Sequence, residues 1–306
     1  MFLRRCILFL SRLKWLRRWA ENSALAQPLT RRFVAGQTRA EALAVCQRLN
    51  REGLLVTIDC LGESVEDPRE AERSREEYLR LIEDIARHRL LATVSVKLTH
   101  FGLDVSESLC WALVGDVARH AHQHGTAVEV DMEGPEYVDR TLRLVRQLHR
   151  EHGCVRAVIQ AYLRRSEQDI LQLCAEGIPV RLCKGAYSAP PTLAFQSRRE
   201  IRTNFLRLAK ILLSQGTEPA FATHDARLIA QLESSARTDG RPRSDVEFQM
   251  LYGVREVLHG PLRRAGFKVR LYVPYGLAWY PYFMRRLAEH PANLLFLFRN
   301  LFRRAL

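Results

Sequence analysis

AVEVDMEGPEYVDRTLRLVRQLHREHGCVRAVIQAY, residues 127–162, decides the fold of this chain. It opens on a short apolar run, Ala127–Met132, and closes on another, Arg156–Tyr162. Both carry Val, the second Ile as well, and both are short enough for a buried parallel strand. Between them Pro135–His152 is amphipathic at helical spacing and stops at Gly153, as helix C-termini often do. This strand–helix–strand unit recurs along the chain. The further strand expectations are Leu54–Leu61, Thr93–Leu98, Pro179–Cys183, Ala220–Thr223, Val246–Leu251 and Lys268–Tyr272. Helical patterns occupy Glu70–Arg89, Ser106–His124 and Thr192–Ser214, and Gly125, Gly177, Gly216 and Gly266 punctuate the same alternation.

Eight such units in about 250 residues predict a TIM-like (β/α)8 barrel, with an open doubly wound sheet as the competitor. Residues 1–50 are expected to be an N-terminal helical extension, with Glu41–Leu49 leading into a barrel domain over 51–306. At 47% hydrophobic, with 16 Gly and 12 Pro, the chain can bury a core and is not a disordered polymer. The seven cysteines are irregularly spaced without a C-x-x-C, which points to a reducing compartment and away from a disulfide framework or zinc cage. No G-x-G-x-x-G and no P-loop occurs, so a Rossmann-bound cofactor is excluded, but not a nucleotide held by barrel loops. His120 and His124 have metal-ligand spacing, yet they end a helix before a strand, on the wrong side of a barrel for chemistry; no metal is expected.

Barrel chemistry belongs at the C-terminal ends of strands. Polar residues are dense there: Asp59, Lys97, Thr99, Asp131, Glu133, Gln160, Arg181, Lys184, Thr223, His224, Asp225, Gln249, Tyr272 and Tyr275. A purely structural barrel would need few of them, so the chain is predicted to be an enzyme. Asp131 and Glu133 suit either a paired-carboxylate site or ion pairs with Lys97 or Arg181. The eighth strand runs into YVPYGLAWYPYFMRRLAE, residues 272–289, a helix bearing Arg285 and Arg286 side by side. Neighbouring helical residues point about 100° apart, so the pair would pinch one small anion from two directions. A solvated basic turn is the bland alternative.

SVKLT (95–99), EVDME (129–133), VIQAYLRR (158–165), VRLCKGAY (180–187), FATHD (221–225), EFQMLYG (247–253) and YVPYG…YFMRRLAE (272–289) together resemble the proline dehydrogenase family in its compact monofunctional bacterial form. The motifs fall in order at successive strand ends and span roughly residues 30–300. The resemblance implies a flavoprotein that holds FAD at the strand C-termini. It implies oxidation of L-proline to pyrroline-5-carboxylate, with electrons passed to a membrane quinone. On the same ground Arg285 and Arg286 are expected to clamp the proline carboxylate, and Tyr272, Tyr282 and Leu251 to wall its ring. Lys97 and Asp131 are expected as polar members of the substrate site, with Glu289 a partner for Lys97. Gln160 and Arg181 are expected at the flavin ring, and Lys184, Gly185, Ala186, Tyr187, Thr223 and His224 along the rest of FAD.

Residues 1–20 hold six basic residues and no acid, with an apolar helical stripe through Phe2, Cys6, Phe9, Leu13 and Leu16. The run Cys6–Leu10 is far short of the ~20 residues that span a bilayer. A membrane-surface helix, a helix packed on the barrel and a mitochondrial transit peptide are the three readings. The expected location is therefore the cytoplasm, peripherally at the bacterial inner membrane, with mitochondria the alternative. The runner-up functions are oxidation of hydroxyproline or another flavin-barrel reaction, and, from charge alone (+13), a basic membrane-surface binding protein. Nucleic-acid binding is not expected, because the basic excess is spread along the helices rather than interleaved with aromatics on one face.

Overall fold

A computed structural model describes residues 31–289 except 63 and 239, with side chains described through Met284. Helix α1 (Arg39–Arg51) precedes the first strand and is started by a capping box, in which Thr38 and Glu41 satisfy each other's backbone donors. The strands are β1 (Leu55–Cys60), β2 (Ala92–Val96), β3 (Val128–Val130), β4 (Val155–Gln160), β5 (Val180–Cys183), β6 (Ala220–Ala222), β7 (Glu247–Leu251) and β8 (Lys268–Tyr275). They close into one barrel in sequence order, β8 pairing back onto β1, and every pairing is parallel. Between them run α2 (Pro68–Arg87), α3 (Glu107–Gln123), α4 (Val138–His152), α5 (Ser166–Ala175), α6 (Arg198–Gln215), α7 (Ala226–Thr238) and α8 (His259–Arg264); α9 (Trp279–Glu289) follows β8. The closed barrel, not the open sheet, is the architecture.

The strand expectations hold to within a few residues at each edge. The largest difference is at β8, which runs on through Val273, Pro274 and Tyr275. Pro274 brings no N–H to the ladder, and its carbonyl accepts from Ala35 N at 2.8 Å. Helix α6 begins six residues later than Thr192, because Ser197 and Glu200 form a capping box there. Gly216 ends that helix in an extended conformation (φ −75°) rather than the left-handed one.

Strand residues alternate between two environments. Val56 and Ile58 of β1 are fully buried in the main core, which also takes Tyr78, Leu81 and Ile82 of α2. The alternate positions Thr57 and Asp59 are also buried, yet engage polar partners inside the lumen, Glu129 of β3 and Lys97 just past β2. The apolar content of these strands thus packs against the helices, while the lumen is filled with hydrogen-bonded polar and charged groups.

Candidate active site

The lumen of the barrel is two stacked layers of ion pairs. In the lower layer Glu247 of β7 accepts from Arg156 of β4 at 2.9 Å and from Arg270 of β8 at 2.8 Å. Glu129 of β3 accepts from Thr57 at 2.9 Å, Thr93 at 3.1 Å and Gln249 at 3.2 Å, and pairs with Arg181 of β5 at 3.1 Å. Burial opposes the charge on both carboxyls, but the surrounding guanidinium groups more than offset it, and both pKa values fall below the ordinary range, that of Glu247 to about 2.

The upper layer lies at the strand C-termini. Lys97 Nζ, just past β2, sits 3.1 Å from Asp59 Oδ1, 3.1 Å from Asp131 Oδ2 and 3.1 Å from the Tyr272 hydroxyl. Tyr272 donates to Asp131 at 2.8 Å, Ser95 donates to the other Asp131 oxygen at 2.8 Å, and Arg181 bonds that same oxygen. Burial alone would lower the Lys97 pKa, but Asp59, Tyr272 and Asp131 reverse this and hold the ammonium well above its usual value. Burial would raise Asp131, and Lys97 with Arg181 instead bring it down to about 2. The Tyr272 phenol is pushed up by burial and by Asp131, so it stays protonated. The alternative for Asp131 resolves in favour of ion pairs with both Lys97 and Arg181, while Glu133 accepts from Thr99 Oγ1 at 2.6 Å and its amide at 3.1 Å.

The remaining strand-end residues line the β4–β7 side of the mouth. Gln160 donates to the Glu133 carbonyl at 2.8 Å. Lys184 pairs with Asp225 at 2.9 Å. Thr223 is buried, and its hydroxyl accepts from Asp225 N at 3.2 Å. His224 Nε2 accepts from Leu251 N at 2.9 Å, which leaves Nδ1 to carry the proton of the neutral ring. Gly185, with Ala186 and the 42% exposed Tyr187, forms the loop after β5. Gly185 has φ +96°, and an added Cβ would lie 2.2 Å from the Tyr162 ring. The Tyr162 hydroxyl is buried there without a hydrogen-bond partner among the described residues.

On the β7–β1 side, Tyr282 belongs to a second apolar cluster with Phe33, Val34, Leu61, Val254, Trp279, Tyr280, Phe283 and Met284, against which Leu251 packs. Arg285, Arg286 and Glu289 fall within helix α9, but their side chains lie outside the described residues. The residues 1–20 likewise lie outside them.

The structure therefore gathers Lys97, Asp131, Arg181 and Tyr272 into one bonded cluster and places Gln160, Lys184, Thr223 and His224 at the neighbouring strand ends, with Leu251 hydrogen-bonded to His224 and packed against the apolar cluster that holds Tyr282. Sequence reasoning gave no role to Asp59 or Ser95 and did not foresee the Glu129, Glu247, Arg156 and Arg270 layer. The signal was present as period-two polarity: Glu129 precedes Asp131, Arg270 precedes Tyr272, and Glu247 precedes Gln249, each by two residues.

Residues 42–299 match the family model described as proline dehydrogenase. The chain is 40% identical over 302 residues to proline dehydrogenase 1 of Bacillus subtilis strain 168, covering 99% of this chain and 100% of that one. It is 34% identical over 278 residues to the proline dehydrogenase of Deinococcus radiodurans, covering 89% and 90%. Among solved structures, it superposes with a TM-score of 0.78 and 28% identity on proline utilization A from Bdellovibrio bacteriovorus inactivated by N-propargylglycine. That match covers 86% of this chain and spans 32% of the larger protein.

Proposed function

The chain belongs to the proline dehydrogenase family and is an enzyme of that class, and we propose that it oxidises L-proline to pyrroline-5-carboxylate with FAD and passes the electrons to a membrane quinone. The observation that carries the reading is the upper ion-pair layer: a buried lysine, arginine and phenol organised around Asp131 where barrel enzymes do their chemistry. The donor set beside it fits FAD. Arg181, Lys184, Thr223 and His224 offer cationic and hydrogen-bonding groups to an anionic, heteroatom-rich cofactor. The orphaned Tyr162 hydroxyl and the Gly185 loop beside it mark a surface still short of a polar partner. Gln160 and Arg181 would hold the ring, and Lys184, Gly185, Ala186, Tyr187, Thr223 and His224 the remainder.

FAD, when bound, supplies the hydride acceptor. The chain's own residues supply position and field. Arg285 and Arg286 grip the substrate carboxylate, its one anionic handle, and so orient the carbon beside nitrogen. Leu251, Tyr272 and Tyr282 close around the ring and remove its apolar surface from water, at roughly 25 cal/mol per Å². Lys97 is held protonated and Asp131 ionised, so the polar wall meets the substrate with a set charge pattern. Arg181, desolvated but held charged by Asp131 and Glu129, is a permanent cation that favours negative charge beside it. Glu289 is assigned as a further partner of Lys97.

We assign the enzyme to the cytoplasmic face of the inner membrane, with residues 1–20 as the peripheral contact. Among the described residues no helix is long and apolar enough to cross a membrane. The test is colour. Purified protein is expected to be yellow, and L-proline is expected to bleach it without oxygen. Folded protein that binds no flavin on titration, or bound flavin that proline leaves oxidised, overturns the reading.

A further inference from the structure

The segment just before α1 runs along the β7–β8 edge of the barrel, from Gly253 to the end of β8, and packs on the helix that carries the arginine pair. Phe33 and Val34 are almost fully buried, and Phe33 meets Phe283 of α9 with ring centroids 6.2 Å apart. Phe283 in turn packs edge-on against Trp279 at 5.8 Å. The segment is anchored at both ends. Ala35 N bonds the Pro274 carbonyl at 2.8 Å, and Gly36 O accepts from Gly276 N at 3.0 Å, so it is tied to the end of β8 and to the loop that launches α9. At its other end the Arg32 carbonyl lies over Gly253, where an added Cβ would fall 1.7 Å from that oxygen. Gly253 also has φ +72°, so any side chain there is strained as well as obstructed.

We propose that residues 32–36 are a positioning strap for the substrate carboxylate clamp, with Phe33 as its principal positioning residue. Arg286 follows Phe283 by three residues, a little under one helical turn and about 4.5 Å along the axis. A helix held at Phe283 by a buried ring therefore presents the next turn at a set height and rotation relative to the end of β8. Without that ring α9 retains its attachment to β8 and its packing on Val34, Leu61 and Val254, but loses the buried aromatic contact at Phe283 that restrains its rocking. A displacement of about 1 Å at the reacting centre can cost on the order of a hundredfold. The strap rests on the assignment of Arg285 and Arg286 made above.

The experiment measures full-length, flavin-loaded Phe33→Ala, Phe33→Leu and Gly253→Ala. Readouts are the KM and kcat for L-proline, and calorimetric binding of cyclopentanecarboxylate, a ring carboxylate with no nitrogen to oxidise. Phe33→Ala is expected to raise both KM and the Kd for cyclopentanecarboxylate by about ten- to a hundredfold, with flavin content unchanged. Phe33→Leu should recover most of the loss, and Gly253→Ala, which must displace the strap from its far side, should reproduce it. Wild-type KM and Kd in Phe33→Ala, with only a lower melting temperature, would show a merely structural segment and overturn the strap. Should Phe33→Ala fail to fold, wild-type values in Gly253→Ala overturn it instead. Wild-type enzyme that neither oxidises proline nor binds the carboxylate would overturn the functional reading itself, which separates the two failures.

Discussion

Lys97→Met is the sharpest probe of the upper layer. The substitution keeps the length and most of the apolar volume of the side chain while removing one ammonium group. In the folded protein that group bridges Asp59 at 3.1 Å and Asp131 at 3.1 Å, with only 14% of the lysine side chain exposed. Removing one partner of a buried ion pair costs about 3–5 kcal/mol, because the remaining charge is left desolvated. Asp131 retains Arg181, Ser95 and Tyr272, so the penalty concentrates on Asp59. For a chain of 306 residues the unfolding entropy is about 0.6 kcal/mol per degree. The melting temperature should therefore fall by about 5–8 °C. In the wild type, burial already pushes Asp59 above its ordinary value of 3.8, with Lys97 opposing and Asp131 reinforcing. Without Lys97 the folded-state pKa rises further. The charged form is then what the fold disfavours, so the deficit begins above the unfolded pKa and grows as pH rises towards the folded one. Thermal unfolding followed by circular dichroism should show a larger gap from wild type at pH 8 than at pH 5. Lys97→Met combined with Asp59→Asn should recover part of the loss, since both charges are then gone. A single variant within about 1 °C of wild type at both pH values, or a double variant no better than the single, would refute the reasoning.

Arg285→Met and Arg286→Met should each lower kcat/KM for proline about ten- to a hundredfold with flavin retained, one charged hydrogen bond contributing about 1.5–3 kcal/mol; steady-state kinetics near wild type in both would remove the clamp assignment. Tyr272→Ser should narrow a preference for proline over 4-hydroxyproline of about ten- to a hundredfold, and it should also weaken stability because the lost phenol bonds Asp131 and Lys97; an unchanged substrate ratio would mean the phenol is there for the ion network alone. Asp131 falls from 3.8 to about 2 on folding, so it contributes about 2 kcal/mol that is present above pH 4 and lost as pH falls through 2; Asp131→Asn should flatten that part of the acid-unfolding curve. Deleting residues 1–20, with their six positive charges, should abolish salt-sensitive binding to anionic vesicles and lower turnover with a membrane quinone more than with a soluble dye; equal losses on both acceptors would favour a helix packed on the barrel.

The β/α alternation was legible in the sequence because each strand and helix is a local object: Val128–Val130 and Val155–Gln160 are recognisable from a few residues of composition and the glycines between units. Positions at strand ends were legible for the same reason, which is why Lys97, Asp131, Arg181 and Tyr272 could be nominated before any contact was known. What composition could not show was which side chains meet across the lumen. Asp59 and Lys97 are 38 residues apart, Asp131 and Tyr272 141 apart, and Arg156 and Glu247 91 apart. Their pairing is decided by barrel closure and by register, since a shift of one residue would turn each charge from the lumen into the apolar layer under the helices. The strap is likewise a tertiary fact. Phe33 is an ordinary apolar residue in sequence, and only the folding back of β8 to β1 brings it against Phe283, 250 positions later.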